Sequence, residues 1–353
     1  MTRQKYQNGW LKFSQIGGVY KNFNQNLNTM RAIPRCGLHQ IVICFFVCSL
    51  SLILFLNQLC SNDIALSPET DFTAEEITQL ERKNLIQERC GETTKEKQPR
   101  RTKVTPVRFK IEDRHRVMYC DVPKVASTYL KGLMLVLSGV VEFNNLESLF
   151  PKSTIHEKNP LRMFDANNLA DTIQNGVGNF TKFIFVRHPF ERLVSAYQDK
   201  LAGDNVFYQK AVGIAIIRKY RKEPSALSLQ KGHDVTFPEF VDFIVDEWND
   251  GRVPLDVHWR PVVDLCHPCS MGYDFIGKFE TLDQDVDHLL QTLNESGLTS
   301  QLLKSPGNTK PKTTATLWSQ SMKTLSRKQL NELDNIFTED FRLFGYPQET
   351  TEQ

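Results

Sequence analysis

The sequence predicts an α/β domain, a largely parallel sheet flanked by helices, set behind an N-terminal transmembrane helix. Three features point there. Short apolar runs rich in β-formers, "RVMYCDV" and "FTKFIFV", each end in a polar loop that opens a helix-like segment. Two later helices begin with capping-box spacing, Thr236 to Glu239 and Ser326 to Gln329. Strands that alternate with helices imply parallel neighbours, because the chain must cross back over the sheet between them.

In chain order, residues 1–37 come first as a basic tail with Arg3, Lys5, Lys12, Lys21, Arg31, Arg35 and no acid. Residues 38–59 contain the charge-free run "IVICFFVCSLSLILFL", long enough with its flanks for the roughly 20 residues that cross a bilayer. The far flank opens with Asp63, Glu69, Asp71, Glu75 and Glu76. That asymmetry places the tail in the cytoplasm and everything beyond in a lumen, as in a single-pass signal anchor. Residues 60–110 are polar and read as a lumenal stem, with one short helix over "EEITQLERKNLIQERC". The catalytic domain is expected over 111–348.

A lumenal location is consistent with two glycosylation triplets, at Asn179 and Asn294. It also suits Cys90, Cys120, Cys266 and Cys269, which can pair in an oxidising compartment in a connectivity the sequence leaves open. "CHPC" lacks a second ligand pair nearby, so no metal is expected. A net charge of +2 gives no argument for nucleic acid. Self-association is compatible with the sequence, which sets no oligomeric state.

Within the domain, a helix is expected over Thr128 to Leu137 and another over Phe190 to Leu201. Further helices are expected from Phe237 through Trp248, over Asp283 to Leu293 and over Ser326 to Phe337, with a strand in "YDFIGKF". Two loops follow the apolar strands and lie where ligands bind in such sheets, beyond the strands' carboxyl ends. The first, Pro123-Lys124-Val125-Ala126-Ser127-Thr128, offers free N–H groups at a helix start, one ammonium and two hydroxyls, a set suited to phosphate. It is not a Walker loop: Lys124 comes early, glycine is absent, and no acidic site for magnesium is spaced nearby. The second is "RHPFERLVSAY". Its Arg187 offers a fork of donors and Ser195 a hydroxyl eight residues on, again suited to a phosphate monoester.

Together the two loops resemble the cofactor signature of sulfotransferases. "RHPFERLVSAYQDKL", "VTFPEFVDFIV", "HWRPVVDLCHPCSMGYDFIGKFETL" and "FRLFGY" resemble one branch, the Golgi carbohydrate sulfotransferases of the chondroitin, dermatan and HNK-1 group, over about Arg116 to Tyr346. The chain departs from that branch at Ser127, where Cys is common, and at Tyr129-Leu130, which replace Asn-Trp.

The resemblance implies a P-loop-like sulfotransferase fold on a type II Golgi membrane protein. It implies 3′-phosphoadenosine 5′-phosphosulfate as co-substrate and a glycan hydroxyl as acceptor. It further implies that residues 123–128 hold the phosphosulfate, that Lys124 neutralises the leaving group, and that Arg187 and Ser195 hold the 3′-phosphate. An acceptor hydroxyl needs a base, and imidazole titrates near neutrality. His258, beside Trp259 in "DVHWRP", is the expected base, with His188 and His156 next in line. The competing classes are a lumenal kinase or nucleotide hydrolase, which needs spaced metal carboxylates, and a non-catalytic glycan-binding membrane protein, which has no use for two phosphate loops.

Overall fold

The structure is a computed structural model and describes residues 72–92, 109–140, 161–163, 178–298 and 314–348. The span expected at 38–59 and His156 lie outside those residues. Among the described residues, no helix is long and apolar enough to cross a membrane.

Five strands form one sheet: β1 (Phe109–Glu112), β2 (Val117–Cys120), β3 (Arg162–Met163), β4 (Thr181–Val186) and β5 (Phe275–Lys278). Their order is β3-β1-β2-β4-β5. β2, β4 and β5 are parallel neighbours, as expected. β1 runs antiparallel to both β2 and β3, so the sheet is mixed rather than largely parallel. The reason is local. Only a short turn separates β1 from β2, and a connection that short can join only antiparallel strands. The Glu112 carboxylate holds the turn by accepting the N–H groups of Arg114 and His115 at 2.8 and 2.7 Å.

The parallel strands are buried on both faces, which explains their unbroken apolar character. Tyr119 stacks on Phe183 across β2 and β4 with ring centroids 4.9 Å apart. Gly277 has a packing reason: a Cβ there would stand 2.2 Å from the Phe185 ring.

Among the described residues, seven longer helices accompany the sheet: α1 (Ala74–Glu92), α2 (Ser127–Leu137), α3 (Pro189–Tyr197), α4 (Phe237–Asp250), α5 (Leu282–Thr292), α6 (Thr314–Lys323) and α7 (Arg327–Phe344). Both expected capping boxes form, at Thr236 and Ser326. α7 runs beyond its expected end because Phe341, Leu343 and Phe344 continue its buried face. The expected helix over 190–201 ends its α-helical part at Tyr197 and continues as a π-helical turn, Gln198–Ala202.

α1 belongs to this fold, although it lies in the segment read as a stem. The Gln79 amide pairs with the β5 backbone in both directions, donating to Ile276 O at 3.1 Å and accepting from Ile276 N at 2.9 Å. A side-chain amide thus satisfies the open edge of the sheet. Arg82 pairs with Asp285 at 2.8 Å, and Cys90 is bonded to Cys269. A second disulfide joins Cys120, at the end of β2, to Cys266.

Candidate active site

The first loop leaves β2 with its backbone under strain. Lys124 and Ala126 both adopt left-handed conformations, with φ of 72° and 63°. For residues with a Cβ this costs about 1–2 kcal/mol each, and such strain is characteristic of ligand-holding loops. Pro123 and Val125 bury their side chains, so they can offer a ligand only backbone. Lys124, Ala126, Ser127 and Thr128 stay partly exposed. Ala126 sits at the N-cap of α2 and supplies no side-chain bond to its first turn. Lys131 is turned away, buried against Asp121 at 3.3 Å. The Lys124 ammonium lies 3.2 Å from Asp199. Burial lowers its pKa, and Asp199 opposes that only in part.

The second loop leaves β4, the strand beside β2. Arg187 is buried. It donates from Nη2 to Glu191 Oε2 at 3.0 Å and from Nη1 to the Lys124 carbonyl at 3.4 Å, and its guanidinium lies 4.3 Å from the Phe279 ring centroid. The last two contacts tie the loops of β2, β4 and β5 together. Ser195 lies two turns along, half-buried, and Arg187 reaches Glu191 rather than Ser195. His188 has a packing role. Its ring sits among Phe190, Trp318, Phe341 and Tyr346 at 5.4–6.0 Å, and burial lowers its pKa.

His258 lies near enough to Lys124 for that charge to act on it. Its Nδ1 lies 2.7 Å from Asp256 Oδ1 and 3.0 Å from the Tyr208 hydroxyl, while that hydroxyl donates to Asp256 Oδ2 at 3.0 Å. Burial raises the Asp256 pKa, but hydrogen bonds from His258 outweigh it and hold the carboxyl below its usual range. An ionised carboxylate only accepts, so Nδ1 carries the proton and the neutral ring presents a lone pair at Nε2. Burial lowers the His258 pKa, Asp256 pulls it back, and the charges of Lys200 and Lys124 lower it again. Arg192, fully buried on α3, holds the loop by donating to the carbonyls of His258 and Arg260. Asp340 on α7 accepts from Val262 N and Val263 N at 2.7 and 2.9 Å.

A profile described as the sulfotransferase family matches residues 107–347. The chain belongs to the sulfotransferase family. It is 34% identical over 273 residues to carbohydrate sulfotransferase 8 of Mus musculus, covering 76% of this chain and 64% of that protein. It is 34% identical over 270 residues to carbohydrate sulfotransferase 11 of Mus musculus, covering 75% of each. Carbohydrate sulfotransferase 14 of Danio rerio is 36% identical over 240 residues, covering 67% of this chain and 61% of that protein. No solved structure matches.

In this sulfotransferase the fold brings Lys124, Arg187 and His258, three residues singled out in the sequence, into one region. Asp256, Tyr208, Asp199 and Lys200 escape the sequence reading. Asp256 had a legible signal, a carboxylate two residues before a candidate base. Tyr208 lies 50 residues from His258 and carried none.

Proposed function

We propose that this chain transfers a sulfuryl group from 3′-phosphoadenosine 5′-phosphosulfate to a sugar hydroxyl. The acceptor is a chondroitin- or dermatan-type glycosaminoglycan, or a related N-acetylgalactosamine or glucuronic acid unit. The observation that carries this reading is the convergence of two anion-suited loops at the carboxyl ends of the adjacent parallel strands β2 and β4, joined through Arg187 and Lys124. The chemistry of the donor set fits the nucleotide. The strained first loop, the start of α2 and the hydroxyls of Ser127 and Thr128 take the phosphosulfate. Arg187 exchanges Glu191 for the 3′-phosphate, with Ser195 assisting.

The donor supplies an activated sulfur. The acceptor oxygen bonds to it as the acceptor proton passes to His258 Nε2. The bond from sulfur to the 5′-phosphate oxygen breaks, and 3′-phosphoadenosine 5′-phosphate leaves with that electron pair. Lys124 stabilises the charge growing on the leaving oxygen, which is electrostatic catalysis by a prepositioned cation. Asp256 holds the imidazole in the tautomer the step requires.

The test is incubation of the chain with sulfur-labelled donor and desulfated chondroitin, desulfated dermatan and oligosaccharides ending in N-acetylgalactosamine. Label should enter one class of glycan. Label entering none, with the donor intact, overturns the reading.

We further propose a single-pass type II protein of the Golgi membrane with its catalytic domain in the lumen. The tail and exit-flank charges support this. Asn179 and Asn294 are both exposed, as glycan attachment requires. A tag at residue 353 should be protected from protease in intact microsomes, and glycosidase should shift the band. A cleaved tag overturns the topology.

A further inference from the structure

Lys200 has no role in the mechanism above, yet it stands inside the same cluster. It lies in the π-helical turn that follows α3, a local widening frequent at functional sites. Its ammonium is 3.2 Å from Asp199 Oδ2, the same oxygen that Lys124 approaches at 3.2 Å. The two ammonium groups therefore face one anionic oxygen and stand within two contact lengths of each other. Both side chains are largely buried, 15% and 18% exposed. Lys200 also lies 4.9 Å from the centroid of the Tyr208 ring, and the Tyr208 hydroxyl touches Asp256 and His258.

A single carboxylate oxygen held between two partly desolvated ammonium groups occupies a position made for an oxyanion. Resting on the sulfotransferase reading, we propose that Lys200 is a second catalytic cation that grips an oxygen of the sulfuryl group together with Lys124. Asp199 is the internal stand-in for that oxygen and yields the position when the donor binds. This divides the labour between the two lysines. Lys124, on the strained loop, serves the leaving phosphate oxygen as well. Lys200 serves only the group being transferred, whose oxygens stay charged throughout the step.

That division makes a binding test independent of any acceptor. On the full chain, affinities are measured for 3′-phosphoadenosine 5′-phosphosulfate and for 3′-phosphoadenosine 5′-phosphate, which lacks the sulfuryl group. Lys200→Met should weaken the phosphosulfate about 10-fold, as expected for one lost charge-assisted contact, and leave the bisphosphate within about twofold. Lys200→Arg should recover much of the difference. The pH–rate profile gives a second readout. The groups facing His258 are Asp256, Tyr208, Lys200 and Lys124. Deleting one of the two cations should move the acid limb to higher pH. Equal weakening of both nucleotides in Lys200→Met, or weakening of neither, overturns the role of Lys200 and leaves the sulfotransferase reading in place. A wild-type chain that binds neither nucleotide overturns both.

Discussion

Asp256→Asn tests the base assignment most sharply, because the replacement keeps the shape and changes only charge and proton. In the wild type, the ionised Asp256 accepts from Nδ1 at 2.7 Å and from Tyr208 at 3.0 Å. As the acceptor proton arrives at Nε2 the ring becomes a cation, and the 2.7 Å contact becomes a charge-assisted bond. Such bonds are worth about 1.5–3 kcal/mol, so their loss should lower turnover roughly 10- to 150-fold. The amide adds a second effect. Its NH₂ can donate to Nδ1, which drives the ring proton to Nε2 and removes the lone pair altogether. The pH dependence has a definite sign. A base works only when neutral, so the rate rises through its pKa. Burial already lowers that pKa below the ordinary 6.5, and Asp256 is the partner that raises it. In Asp256→Asn the plateau should therefore fall while the acid limb moves further down. The assay is turnover against pH with labelled donor and the best glycan acceptor, alongside calorimetric binding of 3′-phosphoadenosine 5′-phosphate, which should be unchanged. A plateau within about threefold of wild type would refute both the tautomer argument and His258 as the base.

Arg187→Ala should weaken binding of 3′-phosphoadenosine 5′-phosphate by about one to two decades, and binding of the analogue without the 3′-phosphate hardly at all. Equal losses would mean that Arg187 serves the loops rather than the phosphate. Ala126→Gly relieves a left-handed alanine worth about 1–2 kcal/mol and gives back about 0.4–1 through the looser unfolded chain, so the denaturation midpoint should rise by the equivalent of about 0.5–1 kcal/mol. A lower midpoint would contradict the strained loop. Replacing Cys90 and Cys269 together by Ser should be less damaging than their sequence separation of 179 implies. With Cys120–Cys266 closed, their bridge constrains a path of only roughly 35 residues, worth about 4 kcal/mol in denaturant unfolding under the chain-entropy relation. A loss below about 1 kcal/mol would show that α1 docks without it.

Local sequence carried the elements whose signals lie within a few residues of one another. The apolar runs marked β2, β4 and β5, because strands buried on both faces need no alternation. The boxes at Thr236 and Ser326 marked where α4 and α7 begin, since the cap and its partner are three residues apart. Lys124 and Arg187 were legible for the same reason, each sitting at a strand-to-helix junction with its donors beside it. The hairpin of β1 was hidden because "FKIE" alternates polar with apolar at the edge of a polar segment, and its lysine and glutamate are buried only by tertiary packing. The docking of α1 rests on Gln79 meeting Ile276, 197 residues away. Four cysteines allow three connectivities, and only the path of the chain selects one. Local capping and periodicity could mark the loops but not say what each charge faces. Folding alone decided that Asp199 would stand between Lys124 and Lys200, and that Asp256 and Tyr208 would set the proton on His258, because chain segments up to 75 residues apart had to be closed onto one another before those contacts existed.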